Sequence, residues 1–62
     1  MSGQRVAVLV TGNELPASGK RWSGYKTAVR ELGLGRTQAQ RHSDRQELKA
    51  GATLSIMGYN IL

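Results

Sequence analysis

An apolar stripe broken by two glycines governs how this chain can fold. Tyr25, Ala28, Val29 and Leu32 recur at the i, i+3, i+4, i+7 spacing of one buried helix face. Ser23 stands just ahead of the stripe, where a side-chain oxygen can cap free backbone N–H groups. A first helix is therefore expected from about Gly24 to Leu32, with Lys26, Arg30 and Glu31 on its outer side. Gly33 can adopt the left-handed conformation that ends a helix, and Leu34 can fold back onto the core. A polar segment follows from Arg36 to Leu48, opened by Thr37 and Gln40 at capping-box spacing and stopped by Lys49-Ala50-Gly51. Its inward side is expected to carry Ala39, His42 or Ser43, and Leu48. Two helices joined by a short glycine-containing turn, the second basic and amide-rich, form the pattern of a helix-turn-helix DNA reader.

The flanks of this unit read as strands. Arg5 to Thr11, RVAVLVT, is a Val-rich run bounded by Gly12-Asn13. Alternation places Val6, Val8 and Val10 on one face and Ala7, Leu9 and Thr11 on the other. Both sets are largely apolar, so the strand is expected to be covered on both faces or to lie in a multimer interface. Lys20-Arg21-Trp22 is a second short strand or an extended lead into the helix, with Trp22 as a core anchor. Thr53 to Leu62, TLSIMGYNIL, is a closing strand with Gly58 as a bulge, and its natural partner is the N-terminal strand. The expected fold is α+β: a small β-α-α-β domain over residues 5–62, its helix-turn-helix packed on a short antiparallel sheet of the N- and C-terminal strands. Residues 1–4 are expected to form a flexible tail.

Size and charge narrow the function. A chain of 62 residues buries only about 60% of its unfolded surface. It has no cysteine, so disulfides and thiolate metal sites are excluded as a source of stability. Nine Lys and Arg against four Asp and Glu leave a formal charge of +5, which favours a polyanionic partner. No apolar run has the length of a membrane span, and the N-terminus lacks the long apolar region of a signal peptide. A cytoplasmic, nucleoid-associated location is expected, without membrane or small-molecule substrate.

Catalysis is not expected. Gly12 to Lys20 superficially resembles a phosphate-binding loop, but the spacing between its glycines is wrong and Arg21 follows the lysine where that motif needs Ser or Thr. His42, Ser43 and Asp44 are adjacent on one helix, and neighbours about 100° apart cannot converge as a triad. No set of residues suggests a metal or any other cofactor. RNA binding is disfavoured because Trp22, Tyr25 and Tyr59 are the only aromatic rings available for stacking on single-stranded bases.

From Trp22 to His42 the chain reads W-S-G-Y-K-T-A-V-R-E-L-G-L-G-R-T-Q-A-Q-R-H, and Gly58-Tyr59-Asn60-Ile61 follows near its end. This order resembles the nuclease-associated modular DNA-binding repeats found beside homing endonuclease domains. In those repeats an aromatic residue precedes a Ser-capped helix of the form S-I-x-x-A-A-x-x-L-G-I, followed by a turn, a second helix and a closing G-Y strand. Two positions depart from that pattern: Gly35 replaces a Ser or Thr before the second helix, and Ala39 replaces a larger aliphatic residue. The resemblance implies a helix-turn-helix that binds duplex DNA; no nuclease motif accompanies it.

The expected function is sequence-specific binding of double-stranded DNA by a small transcriptional or phage-type regulator, possible as a homodimer reading two half-sites. Arg36, Thr37, Gln38, Gln40 and Arg41 are the candidate base contacts, because Arg matches the guanine acceptor pair and Gln the adenine donor–acceptor pair. Lys20, Arg21, Lys26, Arg45 and Lys49 are the candidate phosphate contacts. Removing Arg36 and Arg41 together is expected to weaken DNA binding and leave stability nearly unchanged. The alternative is a basic inhibitor or adaptor that grips an acidic protein partner, such as a host enzyme.

Overall fold

The computed structural model describes residues 5–62; the expected N-terminal tail, 1–4, lies outside the described residues. Within them the chain runs β1 (Val8–Gly12), β2 (Lys20–Trp22), α1 (Tyr25–Leu32), α2 (Gln38–Lys49), β3 (Leu54–Ile56) and β4 (Tyr59–Ile61). The fold is α+β, with the two helices carried on an antiparallel sheet built from both ends of the chain. Each terminal strand is half of a hairpin, so the sheet has four strands among the described residues, in the order β2-β1-β4-β3.

The C-terminal segment is where the expected single strand fails. Met57 and Gly58 both have positive φ, 52° and 84°, and they connect the directly opposed pair Ile56 and Tyr59. Two successive residues of that kind make the tight loop whose twist matches paired antiparallel strands. Gly58 is therefore a turn residue and not a bulge. The two hairpins are tied together at their loops, where Asn13 Nδ2 donates to the Met57 carbonyl at 2.9 Å. At the junction a Cβ on Gly12 would lie 2.4 Å from the Gly58 oxygen, so only glycine lets the strands approach this closely.

Register decides which strand residues meet the helices. Val8 opposes Trp22, and Val10 opposes Ile61, which in turn opposes Leu54. These five side chains share one sheet face and are buried together with Tyr25, Ala28 and Val29 of α1 and with Leu34. The other face carries Leu9, Thr11, Arg21, Asn60 and Ser55, and no element covers it among the described residues. The strand Val8–Gly12 is thus covered on one face only. On its other face Leu9 and Thr11 stand among the polar neighbours Arg21, Asn60 and Ser55.

Helix α1 begins one residue later than a Ser23 cap requires. Its N-cap is Gly24 in an extended conformation, without a side-chain cap. Strand β2 continues through Trp22, so the chain needs two residues to leave the sheet, and Ser23 remains exposed in that bend. Trp22 is a core residue, 8% exposed, and its Nε1–H donates to Glu31 on the last turn of α1 at 3.0 Å. The helix ends as its sequence predicts. Gly33 is left-handed, the Gly33 amide bonds to the Arg30 carbonyl, and the Leu34 amide bonds to the Val29 carbonyl. That is the Schellman arrangement, and Leu34 packs into the core beyond it.

Helix α2 carries the Thr37–Gln40 capping box: the Gln40 amide donates to Thr37 Oγ1 at 3.1 Å, and the Thr37 amide donates to Gln40 Oε1 at 2.9 Å. Its inward face differs from expectation. Ala39, His42 and Ser43 are exposed, whereas Asp44 is buried and Arg41, Arg45 and Leu48 are partly buried. The i, i+3, i+4, i+7 positions that face the domain are therefore Arg41, Asp44, Arg45 and Leu48. No helix of the described residues is long and apolar enough to cross a membrane.

Candidate nucleic-acid interface

A buried polar network sets the position of α2. Asp44, 3% exposed, accepts a hydrogen bond from the Tyr25 hydroxyl at 2.6 Å. It also receives Arg36 side-on, with Nε at 2.9 Å from Oδ2 and Nη2 at 2.9 Å from Oδ1. Arg41 extends the chain, donating from Nη1 to the Arg36 carbonyl at 3.0 Å. One carboxylate thus connects the start of α1, the interhelical turn and the middle of α2. This network fills the anchoring role for which the exposed Ala39 is too small and wrongly placed.

The electrostatics follow from that geometry. Burial alone pushes the Asp44 carboxyl up, but the hydrogen bonds from Arg36 and Tyr25 and the charges of Arg36 and Arg45 outweigh it and hold Asp44 below the usual carboxylate range. Burial, then the bond to Asp44, pushes the Tyr25 hydroxyl well above its ordinary value. The hydrogen bond to Asp44 likewise raises Arg36. At neutral pH the network is a charged bidentate pair with a neutral tyrosine donor.

This arrangement redistributes the residues singled out in the sequence. Arg36 is paired bidentately inside the protein, so the same donors are not open to a guanine. Its removal would strip Asp44 of its counter-charge, and stability would not remain nearly unchanged. Thr37 and Gln40 are engaged in the capping box. Arg41 is partly buried, bonded through Nη1, and its Nε–H is shielded from solvent with no acceptor among the described residues. Gln38 is exposed on the first turn of α2. His42 and Gln46, exposed and spaced four and eight residues beyond Gln38, continue the same stripe. Sequence spacing puts His42 on the inward side and gives no signal for Gln46, because a helix with one apolar residue on its inner face has no clear phase.

The cations fall into three groups. Lys20 lies over the Trp22 ring at 5.0 Å from its centroid, and Arg21 is exposed on the open sheet face, away from the helices. Arg45 is partly buried on the inner flank of α2, and Lys49 is exposed on its last turn. Lys26 is exposed on α1, one turn ahead of Arg30. With Arg36 and Arg41 these two line an open cleft of about 340 Å³ whose floor is Val29, Gly33 and Gly35. No carboxylate lines it. Arg41 contributes to the cleft from α2 itself, whereas the Gln38–His42–Gln46 stripe is exposed elsewhere on the same helix. Among the described residues no group of His, Cys, Asp and Glu gathers into a metal site. No family model, curated protein or solved structure matches the chain.

Proposed function

We propose that this chain is a helix-turn-helix module that binds double-stranded DNA, with α2 entering the major groove. The observation that carries this reading is the outer surface of α2. Gln38, His42 and Gln46 are exposed on successive turns, and Arg41 of the same helix shares a cleft with Lys26, Arg30 and the Asp44-paired Arg36. A helix of 12 residues is about 18 Å long, and the major groove, about 12 Å wide, admits it. Gln38 and Gln46 offer the paired donor and acceptor that adenine matches, and His42 offers a ring nitrogen to a base edge. Ala39 and Ser43, both exposed, are small enough to let the helix backbone approach. Arg36 and Arg41 serve the backbone side of the interface, and Thr37 and Gln40 set where α2 begins. A small regulator, gaining affinity and stability by pairing two copies on two half-sites, is the biological role this module fits.

The test is selection from a random duplex library at two salt concentrations, with the bound fraction sequenced. The expected result is an enriched site whose preference at one or two positions is lost in Gln38→Ala and in His42→Ala. Each lost contact should cost about 1–3 kcal/mol at its own base pair. Absence of duplex binding at either salt would refute the reading and favour an acidic protein partner.

A further inference from the structure

The cleft between α1 and the start of α2 has a chemistry more specific than positive charge. Lys26 and Arg30 rise from α1 on one side, and Arg36 and Arg41 stand on the other. Arg36 pairs with Asp44, whereas Lys26, Arg30 and Arg41 have no carboxylate partner among the described residues. Like charges sharing a cleft repel one another, modestly where solvent reaches them, and an anion placed between them relieves that repulsion. Arg41 lines the cleft and is held by its bond to the Arg36 carbonyl, while its Nε–H is shielded from solvent without an acceptor, so the guanidinium is fixed in place and incompletely satisfied. Gly33 and Gly35 line the cleft as exposed residues, and a Cβ at either would meet nothing within 4 Å.

We infer that this cleft is an oxyanion site that holds a single phosphate group, supplied in function by one phosphodiester of the DNA backbone. Lys26 and Arg30 close on it from α1 and Arg41 from α2, while Asp44 keeps Arg36 in place. A tetrahedral oxyanion suits the site because it can accept from several donors on converging sides at once. Arg30, which the pattern of the sequence assigns only to a solvated face, becomes a phosphate ligand. The inference deepens the DNA-binding reading and rests on it for the source of the phosphate, but not for the presence of the anion site.

Two measurements on the full chain separate these levels, using wild type and the double variant Lys26→Ala/Arg30→Ala. Both positions are exposed on α1 and alanine favours a helix, so an unchanged melting temperature verifies folding. In the first, inorganic phosphate is titrated while NMR follows the Arg41 Nε–H and the Gly33 and Gly35 amides. Saturable shifts confined to these groups, weakened about tenfold in the variant, are expected. No shift, or equal shifts in both proteins, would overturn the site. In the second, duplex affinity is measured against salt. The slope of log K against log salt should fall by about 1 in the double variant, because both cations serve one phosphate. A fall of about 2 would mean two separate phosphates and an unchanged slope none; either overturns the shared site. If phosphate binds as expected but no duplex binds, the DNA reading fails, and the cleft stands as a site for free phosphate.

Discussion

Replacing Tyr25 by Phe removes one oxygen from the interior and tests the network that holds α2. The Tyr25 hydroxyl is fully buried and donates at 2.6 Å to a buried carboxylate. A hydrogen bond to a charged group contributes about 1.5–3 kcal/mol, and Phe preserves the packing of the ring. Asp44 keeps both bonds from Arg36, so its charge stays compensated and the loss remains within that range. A domain of this size draws only about 3–5 kcal/mol from its core, which makes the expected loss a large fraction of the total. At about 4–8 °C per kcal/mol for small domains, the melting temperature should drop by about 6–24 °C at pH 7. The assay is thermal unfolding by circular dichroism, repeated across pH. Asp44 has a lowered folded pKa, so its contribution is present above the ordinary value of 3.8 and is lost as pH falls through the folded value. Tyr25 has a raised folded pKa, so its contribution is present below its ordinary value of 10.0 and is lost progressively as pH rises beyond it. The gap between wild type and Tyr25→Phe should therefore be widest between these limits and narrow at both ends. A variant within about 0.5 kcal/mol of wild type at pH 7, the range of neutral surface changes, would refute the assignment.

Three further substitutions probe the scaffold. Thr37→Ala should cost about 1 kcal/mol in chemical denaturation, since it removes the oxygen that caps the Gln40 amide. Gly33→Ala should cost about 1–2 kcal/mol for its left-handed backbone alone. Gly12→Ala should cost more, because its Cβ would also meet the Gly58 oxygen at 2.4 Å; equal losses at the two glycines would contradict the close approach of the hairpins.

Much of this architecture can be read from the chain alone, because it is written in local chemistry. The stripe Tyr25, Ala28, Val29 and Leu32 specifies one helix face, Gly33-Leu34 its termination, and Thr37 with Gln40 the start of the next helix. Each depends on residues within one or two turns, so spacing is sufficient. The charge of +5 likewise belongs to composition. The tertiary structure decided what lies beyond that range. Ser23 lost the cap to Gly24 because β2 holds the chain through Trp22. The closing segment became a hairpin because Met57-Gly58 turns it back and Asn13, 44 residues away in sequence, fastens the turn. The phase of α2 was hidden for a similar reason: its inward face is Arg41, Asp44, Arg45 and Leu48, a polar set that no hydrophobic period reveals. An aspartate can occupy the inside of a helix only where a donor and a counter-charge meet it, and Tyr25 and Arg36 do so only after the chain has folded. That meeting ties Arg36 to Asp44 at the edge of the cleft it shares with Lys26, Arg30 and Arg41, and leaves Gln38, His42 and Gln46 exposed on α2.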